Sequence, residues 1–273
     1  MKLTARIPVT AALVALLLCG VTGCNKLKSR DQLNKGVQSF KNQRYEEAVD
    51  HFQNAVNLDP ESEDAKLYLA TAYSYQVIPG ADTPDNMALA QKALDGFNAV
   101  LAKNPSDLTA LRQIASINRN IKKLDDAKLF ERKVIAIDPS DAEAYYTIGV
   151  VDWMQAYKSA VAILAADGST DDGNGNPKKS KGACAKLQEA NTALVNEGLD
   201  VLQKAVQINP SYEEAMTYLN LMERRKADLE CGDDAARKAD LGLADDWTQK
   251  SLGARKANEL KKEQKAGGGV TMQ

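Results

Sequence analysis

Four Asp-Pro or Asn-Pro pairs punctuate this chain, at Asp59-Pro60, Asn104-Pro105, Asp138-Pro139 and Asn209-Pro210. Each closes one amphipathic segment and opens the next. Proline lacks an amide hydrogen and clashes with the preceding turn, so it ends a helix. The step from Pro105 to Pro139 is 34 residues. A fixed period of that length marks a stacked helix-turn-helix repeat, whose units bury apolar faces only against their neighbours. Chains built this way more often hold other proteins than transform small molecules.

Reading back from each proline gives one skeleton. The first unit carries Gly36, Tyr45, Ala48, Phe52, Ala55 and Pro60; the third, Leu108 to Pro139, carries Leu111, Ile114, Ala115, Leu124, Ala127 and Val134. Small residues let the two helices of a hairpin approach, and the larger ones fill the gap. The pattern resembles the tetratricopeptide repeat (TPR) family over roughly residues 29 to 250. It departs from the family at Gln32, Lys35 and Ser39, where a polar first helix suits an outermost capping repeat. It departs again at Glu131, which stands where a large apolar residue is usual. The second unit uses Leu69, Ala70 and Tyr73, then Ala93, Phe97, Val100 and Pro105, separated by 11 extra residues around Val77 to Pro84. Two prolines and a glycine there exclude continuous helix. The fourth starts with Tyr145, Ile148 and Gly149 and resumes at Gly198, Leu202, Ala205 and Pro210 after 37 extra residues. A fifth begins at Ser211, and its partner helix, about Ala235 to Lys265, ends in charged residues as a cap should. The expected fold is all-α: a superhelical TPR solenoid of about five units with two loop insertions, about 76–86 and 158–182, and a C-terminal capping helix.

The N-terminus reads differently. Lys2 and Arg6 precede a short apolar run, and Val21-Thr22-Gly23-Cys24 follows it. The run is too short to span a bilayer, so a secretory signal over 1–23 is expected. The string VTGC resembles the lipobox of bacterial lipoproteins. That resemblance implies cleavage before Cys24, an acyl lipid on its sulfur, and a short lipidated linker over 24–28. Asn25 rather than Asp at the next position favours the outer membrane by the sorting habit of well-studied diderm bacteria. The repeat domain would then occupy 29–265, face the periplasm, and end in a flexible tail over 266–273.

Composition narrows the function. The 35 basic and 37 acidic residues give a net charge of −2, without the basic excess of a general nucleic-acid binder. The single histidine, His51, is too little for a histidine metal site or a Ser-His-Asp triad, and a rim position is expected for it. Carboxylates fall on helix starts and exposed faces rather than in a catalytic cluster. No enzyme activity, metal or cofactor beyond the lipid on Cys24 is expected.

Two cysteines remain in the repeat domain. Cys184 lies 26 residues before the turn at Pro210 and Cys231 lies 21 after it. At ~1.5 Å rise per residue both fall near the far end of one antiparallel hairpin, offset by about 8 Å. An exported chain meets an oxidising compartment, so a Cys184–Cys231 disulfide is expected; two independent buried thiols are the alternative. Between the fourth unit's helices, Asp167 to Asn176 is rich in Asp, Asn and Gly. Asp172, Asn174 and Asn176 alternate as the ligands of Ca²⁺ loops do. Pro177 stands where an EF-hand needs Gly and Ala183 where it needs Glu, and Lys178, Lys179 and Lys181 oppose a cation. A polar loop is the simpler reading.

The TPR resemblance implies a concave groove lined by first helices. Its geometry places there Thr71 and Tyr75 from the second unit, and Arg112, Ser116, Arg119 and Asn120 from the third. Tyr146, Val150 and Trp153 come from the fourth, and Thr217, Leu221 and Arg224 from the fifth. Arg and Trp often carry interface energy, and arginine forks suit carboxylates. The two-carboxylate clamp of some TPR domains needs an Asn where Ser116 and Val150 stand, so it does not carry over. The expected function is a lipid-anchored adaptor that recruits a protein or peptide partner for assembly of an envelope complex. A pilotin, a part of the outer-membrane assembly machinery and a scaffold for cell-wall enzymes all fit that description. The other reading is a small-ligand-binding lipoprotein that uses the inserted loops.

Overall fold

The computed structural model describes the backbone of residues 9–267 and the side chains of 24–264. Residues 1–8 of the expected signal peptide and 268–273 of the expected tail lie outside the described residues, as do the side chains of 9–23. The described residues form ten α-helices and no strands. They divide into two compact units, one ending at Lys123 and the other beginning at Leu124.

The first unit contains α1 (Val9–Lys41), α2 (Tyr45–Leu58), α3 (Glu63–Ser74), α4 (Pro84–Lys103) and α5 (Leu108–Asn120). Helices α1 and α2 form a hairpin around Phe52, which is fully buried with Ala48 and Ala72. Gly36 makes this possible: a Cβ there would lie 2.5 Å from the Phe52 ring. The polar residues of α1 also have partners. Ser39 is buried, and Gln32 meets His51 Nδ1 at 2.8 Å, which leaves the histidine half-buried. Residues 24–28, expected as a linker, continue α1 without a break into the buried Ser29, whose hydroxyl donates to Ala55 O at 2.8 Å.

The second unit contains α6 (Leu124–Ile137), α7 (Ala142–Ala166), α8 (Lys181–Ile208), α9 (Glu213–Ala227) and α10 (Asp234–Gly267). Its core joins Ala156, Ala160 and Leu164 of α7 to Leu187, Val195 and Leu202 of α8 and to Leu219 and Met222 of α9. Gly149 lets Leu202 press against the α7 backbone. Much of the expected 158–182 insertion is helical, because α7 and α8 both continue past the usual repeat length. Only 167–180 is loop.

The prolines act as part of a larger turn. Asn104, Asp138 and Asn209 each end a helix, and each side-chain oxygen accepts from the backbone and hydroxyl of the serine two residues on. Asp107 and Asp141 then cap the next helices by accepting from Ala110 N and Ala144 N. Asx, Pro, Ser and a capping Asp therefore stop one helix and start the next within four residues.

Candidate functional site

In the first unit, the C-terminal turns of α3 and α5 enclose a concavity of about 280 Å³. Tyr75, Ser116 and Asn120, all expected in the groove, line it together with Ser74, Val77 and Gln113. Tyr75 is 55% exposed and leans on Phe40 at 4.8 Å and Tyr45 at 5.5 Å between ring centroids. Beyond Tyr45 lies a second hollow of about 520 Å³, bordered by Gln43, Arg44, Glu46, Glu47 and Gln76. The surface thus offers hydroxyl and amide groups beside one exposed ring, the mixture that reads the backbone of an extended peptide while packing on its side chains.

The inserted loop 75–83 forms one wall of this site, and no repeat position reveals what orders it. The buried side chain of Asn86 accepts from Ile78 N at 2.7 Å and donates to Ile78 O at 3.1 Å and Ala81 O at 2.8 Å. Gly80 N donates to Asn120 O at 2.8 Å, which fastens the loop to the end of α5. Gly80 adopts φ 78°, a left-handed conformation that suits glycine. The other expected groove residues of this unit lie nearby without lining the concavity. Thr71 spends its hydroxyl on Leu67 O, and Arg112 and Arg119 are half-buried on α5.

In the second unit the expected residues separate. Tyr146 and Trp153 belong to a run of touching rings along α7 and the start of α9, and Val150 is buried beneath them. Tyr212 meets Tyr146 at 5.0 Å, Tyr146 meets Tyr218 at 5.7 Å, Tyr218 meets Trp153 at 5.5 Å, and Trp153 stacks on Tyr157 at 5.2 Å. The Arg225 guanidinium lies 5.6 Å from the Tyr157 ring. Burial and the Glu143 carboxylate, to which its hydroxyl donates, push the Tyr212 phenol up. Tyr157, Tyr212, Tyr218 and Arg225 were missed because the sequence does not say which turn of α9 faces α7.

Thr217 and Arg224 have other partners. Thr217 Oγ1 meets Ser251 Oγ on α10 at 2.8 Å. Arg224 pairs with Asp245 at 2.9 Å and donates to Gly173 O at 2.9 Å. These two side chains hold α9 to α10 and to the 167–180 loop. Leu221, on the same stripe of α9, is half-buried.

That loop is ordered by its own polar groups. Asp172 Oδ1 accepts from Asn174 N at 2.7 Å and Asn176 N at 3.0 Å, and Asn176 Nδ2 donates to Thr170 O at 2.7 Å. The alternating Asp and Asn side chains thus serve backbone groups. Among the described residues no group of three or more His, Cys, Asp or Glu is placed to hold a metal ion. Arg225 joins Asp171 in the loop and Asp228 at the end of α9, each at 2.9 Å. Burial pushes Asp228 up to about 6 despite that partner. A separate buried cluster couples Lys128 of α6 to Asp152 of α7 and Glu197 of α8, with Arg132 also on Glu197. Burial likewise pushes Asp152 up to about 6.

The expected disulfide is present. Cys184 and Cys231 are bonded, with their Cα atoms 5.8 Å apart. Cys24 is a free, exposed thiol. Among the described residues no helix is long and apolar enough to cross a membrane.

No protein-family model matches the sequence, and no curated protein matches it. Solved structures do. A crystal structure of MamA is 15% identical, with 90% of this chain and 98% of that one covered, at a TM-score of 0.54. MamA from Desulfovibrio magneticus RS-1 is 17% identical over 84% of this chain and 96% of that one, at 0.55. YrrB, described as a TPR protein with an unusual peptide-binding site, is 13% identical over 82% and 90%, at 0.50. At these identities the likeness concerns architecture. Together with the ten helices and the recurring turns, it shows that the chain has the all-α TPR solenoid fold.

Proposed function

We propose that this protein is a non-catalytic adaptor that holds an extended peptide segment of a partner on the first-helix face of its TPR fold. The observation that carries the reading is the concavity at Tyr75, Gln113, Ser116 and Asn120, where amide and hydroxyl groups surround an exposed ring. A further support is that YrrB, similar in fold, is described as having a peptide-binding site. The VTGC string and Cys24 add a lipid anchor to the proposal, with the domain facing the periplasm at the outer membrane and serving an envelope complex. The test is in-cell crosslinking and capture of the wild type beside Tyr75→Ala/Gln113→Ala. Envelope proteins captured by the wild type and lost from the double variant, with its helical content unchanged, are the expected result. Retention of every partner by the variant would remove this concavity from the function.

A further inference from the structure

The disulfide has two chemically unlike ends. Cys184 is 3% exposed and stands in the first turn of α8. Ser180 caps that helix, accepting from Ala183 N at 3.1 Å, and Cys184 N donates to Ser180 O at 3.0 Å. Helical side chains lean toward the N-terminus, so the Cys184 sulfur lies over the amide end of the turn. Lys181 is the first helical residue and Lys179 comes just before the cap. Both line a cavity of about 390 Å³ whose wall includes the two cysteines.

Cys231 has the opposite surroundings. It is exposed, in the short loop between α9 and α10, beside Gly232 at φ 84°. Glu230, Asp233 and Asp234 flank it in the sequence; Asp233 caps α10 by accepting from Ala236 N, and Asp234 pairs with Arg237 and Lys238. A sulfur that leaves a disulfide carries away a negative charge, and the thiol with the better-stabilised thiolate leaves faster. The start of α8 and Lys181, its first residue, favour that charge on Cys184. Access runs the other way, because an incoming group reaches Cys231 first.

We propose that Cys184–Cys231 is a thiol–disulfide exchange site, entered at Cys231 with Cys184 as the leaving group, and that its substrate class is a dithiol. The incoming thiolate attacks Sγ of Cys231. The S–S bond breaks, and its electron pair passes to Sγ of Cys184, leaving a mixed disulfide on Cys231. The donor's second thiolate then attacks the donor sulfur in that mixed disulfide and expels the Cys231 thiolate, which takes a proton from water. The protein's cystine gains two electrons and the dithiol, now a disulfide, loses two. The two segments stay together throughout, since Gln188 Nε2 donates to Leu229 O at 2.8 Å and Lys179 Nζ to Glu230 O at 3.4 Å. The bond can therefore close again in the folded protein.

The test is to treat the native protein with excess reduced glutathione, trap free thiols with iodoacetamide, and map the peptides. Glutathione on Cys231 with the alkyl label on Cys184 is the expected pattern. Glutathione on Cys184, or on neither cysteine until urea is added, would overturn the proposal. In a second arm, Lys181→Gln should slow exchange in the native protein by roughly two- to fivefold, with Lys181→Arg restoring it. Equal rates for Lys181→Gln and the wild type would overturn the stabilised leaving group on which the assignment of direction rests. Exchange of all variants in urea should be the same, which separates this effect from a loss of fold.

Discussion

Burial takes Asp228 out of contact with water at 1% exposure, and the nearby Arg225 and Lys179 offset that cost only in part. The carboxyl is therefore held near 6, above its ordinary 3.8. Between these values the folded chain holds a proton that the unfolded chain has released, so this group's contribution to stability falls as pH rises from about 4 to 6, and is level beyond that. The gap corresponds to a contribution on the order of 3 kcal/mol. Asp228→Asn removes the titration and should flatten this part of the profile. Urea unfolding of variant and wild type at pH 4.5 and 7.5 measures it: the variant should gain on the wild type at the higher pH. A constant difference between them would show that Asp228 does not titrate in this range. Gly36 is a second residue whose role is steric. Gly36→Val drives a side chain into the Phe52 ring, and overpacking of this kind costs about 1–3 kcal/mol, read as a lower urea midpoint with an unchanged m-value.

At the scale of elements, the disulfide closes a segment whose ends are 47 residues apart and which contains most of α8 and all of α9. Loop-closure entropy for that length predicts a loss of about 4 kcal/mol in Cys184→Ser/Cys231→Ser, measured as the difference between oxidised wild type and variant in urea. This pairing could be read from the sequence because it depends only on helix rise and a proline-marked turn. The helix boundaries could be read for the same reason, since Asx-Pro pairs and capping residues act locally. The length of α7 and α8 could not. Residues 158–166 look like an insertion when counted against a repeat, yet Ala160 and Leu164 pack into the core of the second unit, and that burial extends the helix. The groove was legible in part. Tyr75, Ser116 and Asn120 came from repeat position alone, whereas Asn86, which orders the adjoining loop, acts through contacts of a loop that no repeat contains. Thr217 and Arg224 take partners that the repeat position does not reveal, for a related reason. In the last hairpin α10 is a long partner, and it draws that stripe of α9 toward Ser251 and Asp245.

At the scale of the whole molecule, the distance between the proposed anchor and the fold limits where a partner can be met. Cys24 precedes by only five residues Ser29, which is buried and bonded to Ala55 O. If residues 24–28 remain helical the separation is about 7.5 Å; fully extended it is about 17 Å. A lipid on Cys24 therefore keeps the start of the first unit within that reach of the membrane surface, whichever conformation the segment takes. On the proposed anchor, partners that present their segment at the membrane are favoured. Inserting 20 Gly/Ser residues between Lys28 and Ser29 adds a flexible tether of about 25 Å root-mean-square length. The expected outcome is unchanged labelling with palmitate and a several-fold loss of crosslinks to the native partners, because the effective concentration at the membrane falls. Labelling in neither wild type nor insertion variant would sink the anchor itself. Labelling of both with undiminished crosslinks would leave the anchor standing and show that the short reach has no part in selecting partners.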